Sequence, residues 1–146
     1  MKKFKVRSLV CLAVMLALIL TPAYAVEWKT VNQATIAWDP VTTNIDGDPI
    51  PAEHTIKYRV FLANATTDPN KENPVQLGET DQTQYLITLN VEGRYIAGVQ
   101  SVRYDENGTE LAVSPDINWS DVNGAATPNP FGFVRWIPPS SPGNLR

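Results

Sequence analysis

The chain has 146 residues, 12 basic and 15 acidic side chains, a formal net charge of −3, one cysteine and one histidine. An acidic chain is repelled by nucleic-acid phosphates and gains nothing at an anionic lipid surface. A lone cysteine supports neither a disulfide framework nor a thiolate zinc site, so the core alone must hold the fold.

The first 25 residues, MKKFKVRSLVCLAVMLALILTPAYA, place Lys2, Lys3, Lys5 and Arg7 before an apolar run from Leu9 to Leu20. Ala23-Tyr24-Ala25 then supplies a small-x-small cleavage pattern, and the whole reads as a secretory signal peptide, residues 1–25. A membrane anchor needs about 20 apolar residues, more than this run provides. Cys11 lies inside the run behind Val10, which is unlike the small residue expected before a lipid-modified cysteine. Cleavage after Ala25 leaves 8 basic against 15 acidic residues, a net −7. The expected destination is the periplasm, the cell surface or the medium. No transmembrane helix is expected after cleavage.

Strand signals dominate the remainder. ATIAW sets Ala34, Ile36 and Trp38 on one face; IKYRVFL does the same for Tyr58, Val60 and Leu62. PVQLGE offers Val75 and Leu77, and QYLITL offers Tyr85, Ile87 and Leu89. RYIAGVQSV aligns Tyr95, Ala97, Val99 and Ser101, and DINWSD aligns Ile117 and Trp119. Alternation of this kind marks half-buried strands, because successive side chains leave opposite faces. Asp-Pro, Asp-Gly, Pro-Asn and Asn-Gly punctuate the spacers, which is turn chemistry. Asn107-Gly108 predicts a type I′ hairpin, whose two central residues both need positive φ. Many short strands with frequent turns predict an all-β sandwich.

The ordered set ATIAWDPV, IKYRVFL, QYLITL and LNVEGRYIAGVQSV resembles a fibronectin type III domain. Trp38 matches the tryptophan of that family's second strand, Tyr58-Arg59-Val60 its Tyr-x-Val run, and Leu89 with Tyr95 its tyrosine corner. Thr43-Asn44-Ile45-Asp46-Gly47 adds a likeness to bacterial secreted single-domain members. The resemblance implies an immunoglobulin-like antiparallel β-sandwich of about 7 strands over residues 26–122. Only VEWKTVNQ precedes the Trp38 strand, so the first strand is expected to be short or displaced. Residues 123–146 form a Pro-, Gly- and Asn-rich tail that should be largely extended or irregular, with a mobile end as one reading. Its FGFVRWI segment, by the other reading, packs on its own domain or on an edge of a neighbour.

Chemistry is sparse. His54 beside Glu53 has the composition of a general base, but a loop histidine is more often solvated, and the chain lacks a Gly-x-Ser-x-Gly elbow, a His-Glu-x-x-His and a phosphate loop. The expected function is therefore non-catalytic, with no cofactor. If the loops meet as the resemblance implies, one pole gathers Asp46, Asp48, Glu53, Glu79, Asp81, Asp105, Glu106 and Glu110, with Arg103 the nearest cation. Asp46, Asp48, Asp105 and Glu106 are candidate calcium ligands, weighed against a solvated acidic surface. Phe131, Phe133 and Trp136 are candidate partner-binding aromatics, and Trp119 is expected to pack. These features predict an exported binding or structural module with a protein or polysaccharide partner. The alternatives are a carbohydrate-binding accessory module or an assembly subunit that self-associates through its tail.

Overall fold

The computed structural model describes residues 25–122 and 129–140; the predicted signal peptide up to Tyr24 lies outside them. The described residues form nine strands and no helix: β1 (Glu27–Thr30), β2 (Gln33–Ala37), β3 (Thr55–Asn64), β4 (Val75–Thr80), β5 (Gln84–Thr88), β6 (Gly93–Tyr104), β7 (Glu110–Val113), β8 (Asn118–Trp119) and β9 (Phe131–Arg135). A seven-stranded sheet runs β1-β9-β6-β3-β4, with β7 and β8 also paired to β6, and a two-stranded sheet joins β2 to β5. The architecture is the all-β sandwich that the alternation predicts. The large sheet is mixed rather than purely antiparallel, because β1 runs parallel to β9 from Glu27↔Phe131 to Thr30↔Val134.

The twelve-residue β6 organises the large sheet. One side pairs with β3 without interruption from Thr55↔Tyr104 to Asn64↔Tyr95. The other side is filled in series by β7 near Val102, β8 near Gly98 and β9 near Tyr95. Ser120 stitches the change from β8 to β9. Its N–H donates to the Ala97 carbonyl at 2.9 Å, its carbonyl accepts from the Phe131 N–H at 2.7 Å, and its hydroxyl donates to the Phe131 carbonyl at 2.8 Å.

Alternation sends Tyr58, Val60 and Leu62 of β3 and Tyr95, Ala97 and Val99 of β6 inward, toward Ala34, Ile36, Tyr85 and Ile87 of the small sheet. The buried centre is Ile36, Val60, Ile87, Leu89, Ala97 and Phe133, with Trp38, Leu62, Leu77, Tyr95, Val99 and Phe131 packed around it. Hence the tail segment FGFVR is not outside the domain. It is β9, a core strand, and the folded unit extends past residue 122 to Arg135. An apolar alternating run cannot be left in water when a sheet edge and an open core are within reach.

A second apolar layer covers the opposite face of the large sheet, where Ala63, Ile96 and Val102 are buried. Two tryptophans lie on glycines there. A Cβ on Gly98 would stand 2.6 Å from Ile117 Cγ2 and from Trp119 Cε3, and one on Gly132 would stand 2.7 Å from Trp28 Cζ3. These glycines are thus seats for rings, and Trp119 packs as expected. Lys71 sits over the Trp119 ring and pairs with Asp121 at 2.8 Å.

The β6–β7 hairpin forms, but not through a type I′ turn. Only Gly108 has positive φ, at 78°, and Asn107 does not. The Gly108 N–H donates to the Asp105 carbonyl at 3.1 Å and the Asp105 N–H to the Thr109 carbonyl at 2.9 Å. The Asp105 carboxylate accepts from the N–H groups of Asn107 and Thr109 at 2.9 and 2.7 Å. This is a turn closed by a glycine bulge, and the aspartate at its base selects it.

Candidate functional site

Strands β3 and β6 outrun β2. Opposite the last inward-facing cross-strand pairs, Tyr58↔Ser101 and the start of β3 beside Arg103, the small sheet has ended at Ala37. Residues 38–54 take its place as a long loop. Tyr58 pins that loop by accepting the Val41 N–H on its hydroxyl at 3.0 Å, and Trp38 meets the Tyr58 ring edge-on at 5.3 Å. Further out, Thr43 and Pro49 bridge, Gly47 takes a φ of 92°, and the Asp46 carboxylate accepts the Asp48 N–H at 3.2 Å. Ile45 at the tip is 89% exposed.

A groove of about 570 Å³ remains between this loop and the β6–β7 region. Its walls are Val41, Ile45 and Ile50 on the loop side and Ile56, Ala112 and Val113 on the sheet side, with Arg103 among them. The volume falls in the range of small-ligand and side-chain pockets. Arg103 donates from Nη1 to Asn44 Oδ1 at 2.5 Å, while its Nε is buried without a partner among the described residues. Asp46 and Asp116 stand at the rim. The groove therefore accepts an apolar side chain, with the Arg103 guanidinium held in its wall by Asn44.

The eight predicted pole carboxylates do not form one uncompensated cluster. Glu79 is held by Arg59 Nε at 3.1 Å, by the Tyr104 hydroxyl at 2.9 Å and by Lys57 Nζ at 3.8 Å, and Glu110 accepts from Arg59 Nη2. The cations that hold Glu79 and Glu110 are Arg59 and Lys57 on β3, whereas Arg103 lines the groove with Asp46. Both β3 cations come from its outward face, opposite the inward Tyr58 and Val60. The Glu110 contact is the main reason that the Arg59 guanidinium is held above its ordinary value. Burial, then the Glu79 contact, raises the Tyr104 phenol.

Asp46 and Asp105 spend their carboxylates on local turn N–H groups, and the Thr109 N–H foremost lowers Asp105 below the ordinary carboxyl value. Among the described residues no three His, Cys, Asp or Glu side chains are gathered as a metal site, so Asp46, Asp48, Asp105 and Glu106 are not drawn together. Among the described contacts, no hydrogen bond or ion pair joins His54 to Glu53. His54 Nδ1 is buried without a described partner.

The three tail aromatics separate. Phe133 is 3% exposed and belongs to the core, so it presents no surface to a partner. Phe131 is half-buried, edge-on to Phe133 at 5.6 Å, with Lys29 over its ring. Trp136 alone stands in solvent, 57% exposed beside Ile137 at 56%. Sequence reasoning missed the groove. Its residues come from the 38–54 loop, β3, β6 and β7, and only Ile45, an isoleucine at a turn tip, signalled it locally.

Compared with protein-family models, with curated proteins and with solved structures, the chain matches none. Among the described residues no helix is long and apolar enough to cross a membrane.

Proposed function

We propose that the chain is an exported domain of the fibronectin type III kind that works outside the cytoplasm as a non-catalytic module, gripping a protein partner in the groove between the 38–54 loop and β7. The observation that carries this reading is the groove itself, with apolar walls and an apolar tip residue, Ile45, held out in water. Apolar anchors ringed by polar groups are what protein interfaces use for affinity. The Tyr95 hydroxyl, donating to the Val91 carbonyl at 3.1 Å, supports the family assignment, as does the Trp38–Tyr58 contact.

A second reading rests on Trp136, whose exposed ring suits stacking on a sugar. The test measures retention of the labelled domain on the protein and polysaccharide fractions of its own cell envelope. Ile45→Asp and Ala112→Glu should each weaken protein-dependent retention by about tenfold or more, some 1.4 kcal/mol, while Trp136→Ala leaves it unchanged. Retention confined to polysaccharide and lost with Trp136→Ala would replace the groove reading by the second. Export is checked by the mass of the secreted product, which should begin at Val26.

A further inference from the structure

We propose that β2 is the docking edge for a second copy of this chain, pairing antiparallel about a twofold axis at Thr35 and joining two small sheets into one four-stranded sheet. No residue of β2 lines the groove.

The reason lies in where β1 went. In this topology the strand before β2 crosses to the large sheet and pairs with β9, so β2 has β5 on one side and no described strand on the other. The register fixes which backbone groups are left over. The Leu89 N–H donates to the Asn32 carbonyl at 2.9 Å and the Trp38 N–H to the Thr83 carbonyl at 3.0 Å, at the two ends of a ladder that runs from Gln33↔Thr88 to Ala37↔Gln84. In an antiparallel ladder hydrogen-bonded and open pairs alternate. The even-numbered residues, Ala34 and Ile36, therefore bond to β5, and Gln33, Thr35 and Ala37 turn their N–H and C=O groups away from it. All three are exposed.

Exposed edges usually carry something that prevents pairing, such as a charge, a proline, a bulge or a cover. Most of the other sheet edges do. β1 carries Glu27 and Lys29, β4 carries a bulge and Glu79, β7 carries Glu110, and β8 is only two residues long. β5, reading QYLIT, has no charge and no proline, so it is the comparison edge in the test. β2, reading QATIA, likewise has no charge and no proline. It is also self-complementary. With Thr35 opposite Thr35 of the second copy, Gln33 meets Ala37 and every free group finds its partner. Thr–Thr is a favourable cross-strand pair, and no like charges face each other although the protein is acidic. A strand edge that offers its groups in this order fits its own copy without adjustment, which is the condition for a closed twofold pair.

The test uses residues 25–146, which hold all nine strands and exclude Cys11. Light scattering over a concentration series should show the mass rising from one copy toward two. Thr35→Cys should cross-link under mild oxidation about tenfold faster than Leu86→Cys on the β5 edge, because directly opposed hydrogen-bonded residues lie about 5.5 Å apart between Cα atoms, within disulfide reach. Thr35→Pro removes an N–H that β5 does not use, so it should melt like the unmodified protein yet remain monomeric. If it fails to fold, Thr35→Lys reads the same edge by setting two like charges across the axis. Trp136→Ala should leave association unchanged, which separates this edge from a tail-mediated contact. A constant single-copy mass, equal cross-linking of the Leu86→Cys protein, or a folded Thr35→Pro or Thr35→Lys protein that still associates would overturn the proposal.

Discussion

Phe133→Ala is the substitution that most directly tests the role of β9. The ring is 3% exposed, lies in the buried centre with Ile36, Val60 and Ile87, and meets Phe131 edge-on at 5.6 Å. Truncating a buried phenylalanine costs about 3–5 kcal/mol through lost transfer energy and the cavity left behind. The aromatic pair adds about 0.5–1.5 kcal/mol beyond area, which favours the upper half of that range. A domain of this size is stable by only about 5–15 kcal/mol, so the loss removes a large fraction. Equilibrium denaturation should show it as a lower midpoint, and the melting temperature should fall by roughly 10–20 °C. Trp136→Ala, three residues on and 57% exposed, is the internal control and should stay within about 0.5 kcal/mol. Equal midpoints for the two variants would refute the placement of β9 in the core.

Three further expectations follow from the contacts. Gly98→Ala should destabilise by about 1–3 kcal/mol, because its Cβ would stand 2.6 Å from Ile117 and Trp119. Trp119→Ala should partly relieve this in a double-mutant cycle, and strict additivity would contradict the ring-on-glycine packing. Tyr95→Phe removes the hydroxyl donation to Val91, and at this exposed corner the cost should be about 0.5–1 kcal/mol in the denaturation midpoint; an unchanged midpoint would show that the bond contributes nothing. Asp105 has its carboxyl lowered from 3.8, chiefly by the Thr109 N–H. A group whose folded-state value is depressed stabilises fully above its ordinary value and loses that contribution as pH falls through 3.8 toward the lower folded value. Asp105→Asn should therefore flatten the fall in melting temperature in that acid range, and a slope identical to that of the unmodified chain would sink the assignment.

Much of the fold was legible because period-2 patterning is a local property. The twelve apolar inward residues marked by alternation along β2, β3, β5 and β6, Ala34 to Val99, fall in or against the core, whereas Val75 of β4, marked inward with Leu77, is 63% exposed because the β4 bulge shifts its register. The opposite face was not legible. Ala63, Ile96 and Val102 occupy positions that alternation assigns to solvent, yet they are buried; around Ile96 and Ala63, Trp28 returns from a distant segment to cover that face. The hairpin was legible in position and not in type, since Asn-Gly tolerates several turns and the Asp105 carboxylate decides among them. The candidate site was least legible. A pole of eight like charges is a count along the chain, whereas Arg59 between Glu79 and Glu110 is a fact of register on β3 and its neighbours.

By itself the sequence determined the all-β class, the strands with strong alternation, the inward parity of each and the places where turns fall, because each depends only on residues a few positions apart. The tertiary structure decided which edges those strands would find. It drew the short first strand out to pair in parallel with β9, turned the tail's FGFVR into core, and left β2 as an edge. The physical reason is that strand pairing satisfies backbone groups without regard to side-chain identity, so the partner of an edge is set by chain geometry and by which apolar face still needs covering.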